Sequence, residues 1–149
     1  MLLLLSWNSI LFSQTNTRID TIKWSNYVLI LEVPKCNHIH TDSYEEGFFQ
    51  TINCLIDSAI ITIHCGAMVN LPLIDLTKYN VTSEFNLCKE VQVLRGFYEY
   101  EKNGVKMKRY FREENYKRQG ITIMYENVIE KRLDFYDHIL NNIKVVRTE

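Results

Sequence analysis

The sequence predicts an α+β fold: an antiparallel sheet of about five to six strands with a C-terminal helix packed on one face. Three observations predict it. Short apolar runs end at turn residues through the middle of the chain. Asn103-Gly104 separates two runs of alternating polarity and opposite charge. Residues 129–144 carry an apolar stripe at helical spacing.

The chain opens "MLLLLSWNSILFSQ". This apolar run is shorter than the ~20 residues a membrane-spanning helix needs. Residues 1–14 fit the h-region of a secretory signal, with small Ser13 near a cleavage point, although no Lys or Arg precedes Arg18. The alternative is a buried N-terminal helix or strand. The signal reading makes residues 15–149 a single exported domain, periplasmic or secreted, with no stable membrane span. That length suffices for a hydrophobic core without obligatory staples.

After a frayed entry segment, "YVLILEV" (27–33) is apolar almost throughout and ends at Pro34, which reads as a strand covered on both faces. Residues 35–46, "KCNHIHTDSYEE", read as a polar loop or short helix. Residues 48–65 predict a hairpin turning at Asp57-Ser58, with Ile52 opposite Ile63 and Gln50 opposite Cys65. One face then carries Ile52, Cys54, Ile56, Ala59, Ile61, Ile63 and Cys65, and the other Thr51, Asn53, Leu55, Ile60, Thr62 and His64. A one-residue slip would exchange the two faces. Residues 68–90 read mostly as loop.

The second hairpin is better specified. Asn103-Gly104 suits a type I′ turn, whose two central residues need positive φ. Pairing Lys102 with Val105 sets Glu101 opposite Lys106, Glu99 opposite Lys108, Tyr100 opposite Met107 and Gly96 opposite Phe111. Opposite charges across strands contribute roughly 0.2–1 kcal/mol per pair. Residues 120–128 make another strand. The helix follows: Ile129, Leu133, Tyr136, Leu140 and Ile143 form one stripe, and "KVV" (144–146) predicts a short edge strand.

In order and texture of elements over about residues 27–146, from "YVLILEVP" to "YDHILNNIKVV", the chain resembles the PsbP-like α/β/α sandwich proteins. The resemblance implies an accessory or binding protein and carries over no catalytic residues.

Net charge is −1, which predicts no global attraction to nucleic acid or membrane. Residues 1–75 hold three Lys/Arg against seven Asp/Glu, and residues 76–149 fourteen against eleven, so the basic excess lies in the second half.

"CNHIHTD" (36–42) alternates Cys36, His38, His40 and Asp42, so an extended chain would aim four potential metal ligands one way. Thiolate, imidazole and carboxylate are the donors of zinc, and imidazole with thiolate suits copper. A tetrahedral site normally draws on two elements, and no CxxC or HxxxH supplies a second, so the preferred reading is a solvated loop with no metal and no cofactor. In an exported chain the four cysteines suggest disulfides. The hairpin register separates Cys54 from Cys65. This leaves Cys36 with Cys54 and Cys65 with Cys88, or Cys36 with Cys65 and Cys54 with Cys88; buried free thiols are the alternative. His64 and Cys65 are strand neighbours on opposite faces and cannot form a dyad. No nucleotide-binding, P-loop, nucleophile-elbow or zincin motif is present.

"KMKRYFREENYKR" (106–118) interleaves basic and aromatic residues. Single-strand RNA readers use that mixture, but Glu99 and Glu101 neutralise half of it, so no nucleic acid is expected. Phe97, Lys108, Tyr110 and Arg112 instead suit an exposed contact for a protein partner. The sequence thus points to a small exported, non-enzymatic binding module of the cell envelope. The alternatives are a metal-dependent or thiol enzyme using Cys36, His38 and His40, and a toxin-neutralising immunity-type protein.

Overall fold

Strand alternation runs through far more of this chain than its apolar segments reveal. The computed structural model describes residues 17–35, 37–67 and 72–149; the expected leader and Cys36 lie outside the described residues. The described chain is mostly β, with ten strands in two sheets and one helix of nine residues. This corrects the α+β expectation of a single sheet of five to six strands. A three-stranded sheet has the order β1-β2-β10, built from β1 (Thr17–Trp24), β2 (Tyr27–Pro34) and β10 (Lys144–Arg147). A seven-stranded sheet has the order β3-β4-β5-β9-β8-β7-β6. Its strands are β3 (Asn37–Tyr44), β4 (Gly47–Cys54), β5 (Ile60–Gly66), β6 (Asn80–Asn86), β7 (Val91–Lys102), β8 (Val105–Tyr116) and β9 (Ile121–Val128). Every pairing is antiparallel.

Three strands overturn loop readings: β1, β3 and β6. All three are sheet edges. An edge strand with little buried surface needs no apolar alternation, so it leaves no periodic signal. β3 has no buried residue at all. Conversely, β2 buries Leu29, Leu31 and Val33, while Val28 and Ile30 stay half-buried. Its apolar run is covered fully on one face, not on both.

The inner face of the large sheet carries Ile52, Ile61, Ile63, Ile121 and Ile123. It packs against Leu29, Leu31 and Val33 of the small sheet and Tyr136, Ile139 and Leu140 of α1 (Leu133–Asn141). Each such side chain stabilises the fold by roughly 1.5–3 kcal/mol on burial. The helix is shorter than its apolar stripe suggests, because residues 130–132 form a 3₁₀ turn before it.

The β4–β5 hairpin keeps its predicted faces along the paired strands, although Ile56, expected on the core face, is exposed in the turn. The predicted register is not kept, since Ile52 pairs with Ile61 and Gln50 with Ile63. The turn is longer than two residues, closed by the Cys54 N–H to Ala59 O (2.8 Å) and the Ser58 N–H to Cys54 O (3.0 Å). A shift by an even number of residues leaves each side chain on its own face, which is why the apolar sorting survives. Asp57 dictates the longer turn. It accepts from the Ala59 N–H (3.1 Å), Arg132 Nε (3.0 Å) and Tyr136 Oη (2.9 Å), tying the turn to the start of α1.

The β7–β8 hairpin adopts the predicted register throughout, with φ of 54° at Asn103 and 74° at Gly104. No disulfide links the described cysteines: Cys54, Cys65 and Cys88 are free thiols. This corrects the expected disulfides. Cys54 and Cys65 point into the core, whereas Cys88 is exposed in the β6–β7 turn.

Candidate functional site

β7 and β8 run twelve residues each, longer than their neighbours. β6 pairs with β7 only as far as Asn80 opposite Phe97, and β9 with β8 only as far as Val128 opposite Tyr110. Residues 98–109 therefore project as a two-stranded arm. On the side facing α1, Phe97 sits opposite Tyr110 with ring centroids 5.8 Å apart. Lys108 Nζ lies 4.2 Å from the Phe97 ring centroid and 3.6 Å from Glu99. A cation over a ring face contributes about 0.5–1 kcal/mol when exposed, which holds the lysine down along the arm.

At the root of the arm is a pocket of about 320 Å³ bounded by Phe97, Tyr110, Tyr125 and Leu133, with Asn80 and Thr82 on one side. Arg95 forms part of the wall. Its Nε meets Glu84 (3.3 Å) and its Nη1 meets Asp137 (3.0 Å), so its charge is balanced and its plane is fixed. Gly96 is required here. A Cβ on it would come within 2.1 Å of Asn80 O and 2.7 Å of the Phe111 ring. A second hollow of about 690 Å³ shares Tyr110 and continues along Lys108, Met107, Ile129 and Lys131.

Of the residues expected to make an exposed contact, Phe97, Lys108 and Tyr110 are accessible on this side, and Arg112 is not. Arg112 is 2% exposed, sealed beneath α1. Its Nη1 donates to Asp137 (2.8 Å) and its Nη2 to Asn141 (2.9 Å) and to Glu114. Glu114 also accepts from Tyr116 Oη (2.7 Å) and faces Lys89 Nζ at 3.4 Å. Burial works against the guanidinium charge, but the Asp137 hydrogen bond and the charges of Glu114 and Asp137 outweigh it and raise its pKa. Arg112 clamps helix to sheet. In sequence it is indistinguishable from a surface arginine, because the partners that bury it are remote.

The opposite face of the large sheet carries a row that crosses all seven strands in register, polar except at its two phenylalanines: Phe85, Gln92, Asn115, Thr122, His64, Phe49 and Asp42. His64 is buried, stacks on Phe49 with centroids 4.2 Å apart, and shares a 2.6 Å hydrogen bond between its Nε2 and Tyr44 Oη. Gly66 permits that bond, since a Cβ there would fall 1.9 Å from Tyr44 Oη. Burial lowers the His64 pKa, which favours the neutral ring. One row along, Glu113 accepts the Leu73 N–H at 2.8 Å, and burial pushes its pKa up to about 7. Tyr44, Glu113 and Thr122 were missed in the sequence, because pairings between strands distant in the chain assemble this face.

His38, His40 and Asp42 share one face of β3, as an extended chain requires. His40 Nε2 lies 2.9 Å from Asp42 Oδ1 at an exposed position. Among the described residues, no group of three or more His, Cys, Asp or Glu is placed to hold a metal ion. Cys65 lies on the core face, away from His64, and burial pushes its thiol up to about 12, so it stays protonated. No helix among the described residues is long and apolar enough to cross a membrane.

The chain matches no known family model, no curated protein and no solved structure. The PsbP-like resemblance accordingly rests on element order and texture alone.

Proposed function

We propose that this protein is a non-enzymatic binding module of the cell envelope, and that it engages a protein partner at the aromatic pocket beneath the β7–β8 arm. The pocket carries the reading. It gathers Phe97, Tyr110, Tyr125 and Leu133 around one opening, with a neutralised arginine in its wall. Concave apolar sites with a few fixed polar groups are the usual form of a binding site. The groups that would serve an enzyme are scattered: Cys65 in the core, His64 on the opposite face, His38 and His40 on an edge strand. The envelope location comes from residues 1–14, and N-terminal sequencing of native protein should find Gln14 or Thr15 first.

The test compares wild type with a Phe97→Ala/Tyr110→Ala variant as bait in the native envelope fraction. Wild type should recover a stoichiometric partner. The variant should bind it at least ~30-fold more weakly, the loss expected when hot-spot aromatics worth about 2 kcal/mol are truncated. Its thermal midpoint should stay close to wild type, since both rings are partly exposed. Equal recovery by both proteins would place the binding surface elsewhere.

A further inference from the structure

The pocket adjoins β6, and β6 is an open edge of the large sheet. We infer that the partner is bound as an extended peptide segment, which adds an eighth strand beside β6 and inserts one neutral aromatic side chain into the pocket. This rests on the binding-module reading and specifies its mode.

The edge is suited to it. β6 pairs with β7 over seven consecutive residues without a bulge, and no strand lies on its outer side among the described residues. Sheet edges are normally blunted by proline, lysine, bulges or very short strands. "NVTSEFN" has no proline and no lysine, and its one charge, Glu84, is turned to Arg95. The other edges differ. β10 is four residues long with a basic residue at each end, and β1 carries Arg18, Asp20 and Lys23. β3 is at least as long as β6 and also lacks proline and lysine, but the aromatic pocket does not adjoin it. Strand addition draws affinity from main-chain hydrogen bonds and specificity from pockets for alternate side chains. β6 offers both. Asn80 and Thr82 sit opposite Phe97 and Arg95, so they face the pocket side, and alternate residues of an added strand would face it too.

The pocket also selects the side chain. Its volume of about 320 Å³ lies at the small end of ligand pockets, which suits one side chain better than a large cofactor. Arg95 is already paired with two carboxylates. An anionic or cationic group would therefore disturb a balanced network, whereas a neutral ring packs against the Phe97–Tyr110 pair without cost to it.

The test uses the full chain, isotopically labelled, with a blocked heptapeptide of alternating threonine and valine around a central phenylalanine. Two control peptides carry alanine at the centre or methyl groups on alternate backbone nitrogens. The parent should shift amide signals across residues 80–86, slow hydrogen exchange at alternate positions there, and shift Phe97 and Tyr110. Each control should bind at least tenfold more weakly, and the methylated one should give no exchange protection. Equal binding of the methylated peptide, with shifts confined to the pocket, would overturn strand addition and leave the pocket reading intact. β6 protection indifferent to the central ring would overturn the aromatic anchor. Protection of β6 that rises with protein concentration alone would make the occupant a second copy and overturn the partner peptide. Absence of any shift at millimolar peptide would overturn this inference, with the binding-module reading still judged by the Phe97→Ala/Tyr110→Ala bait.

Discussion

Glu113 lies under the segment that covers the outer face, and its carboxyl takes hydrogen bonds from the Leu73 and Ile74 N–H groups. Burial is the larger influence and lifts its pKa from 4.5 to about 7. The folded state then binds the proton more tightly than the unfolded one, so this group's stabilisation is full below about pH 4.5 and declines as pH rises to about 7. Glu126, also raised by burial, contributes in the same sense. Glu113→Gln keeps an acceptor for the two N–H groups and removes the titration. It should flatten stability between pH 4.5 and 7 and gain on the order of 2–3 kcal/mol at pH 8 relative to wild type. Urea midpoints measured across that range decide; parallel curves for the two proteins would refute the assignment. A second residue-scale prediction concerns the arm. Gly104 has φ 74° with open space around its Cβ position, so Gly104→Val suffers from backbone strain alone. It should lower the urea midpoint clearly more than Lys108→Ala, which removes a surface pair worth under about 1 kcal/mol.

Among elements, the β4–β5 turn and α1 stand or fall together through Asp57. Three donors converge on it, from Ala59, Arg132 and Tyr136. Asp57→Ala would leave the Tyr136 hydroxyl buried without its acceptor, at a cost of about 2–4 kcal/mol for the set. Tyr136→Phe should cost about 1 kcal/mol, because it removes donor and desolvation penalty together. Denaturant titrations of both variants test the order, and an equal loss would count against it. How much of each element was legible in sequence follows from its surroundings. The β7–β8 hairpin was readable to the residue because a local turn and cross-strand charges specified it. The β4–β5 hairpin was readable only to its faces, since its turn is shaped by Arg132 and Tyr136, more than seventy positions away. β1, β3 and β6 were unreadable as strands, because an edge strand is stabilised by backbone pairing to a neighbour and needs no apolar side chains of its own.

For the molecule as a whole, the Arg112, Glu114, Asp137, Asn141 and Lys89 network joins the large sheet to the helix. Arg112→Ala strands Glu114 without its buried partner and should cost about 3–5 kcal/mol. Arg112→Met combined with Glu114→Gln removes both charges and should recover part of that loss; a double variant as unstable as Arg112→Ala would show that packing, not charge, dominates. The sequence by itself determined which side chains seek the core and where the most local hairpin turns, because alternation and φ preference act over a few residues. It also showed that Phe97, Lys108 and Tyr110 share one side of a strand pair. Only the tertiary structure decided that there are two sheets, that Arg112 is buried while Phe97, Lys108 and Tyr110 stay accessible, and that Phe97 and Tyr110 meet Tyr125 and Leu133 around a pocket. Those outcomes depend on antiparallel pairings and helix contacts between segments distant in the chain, and such contacts leave no periodic mark on the residues that make them.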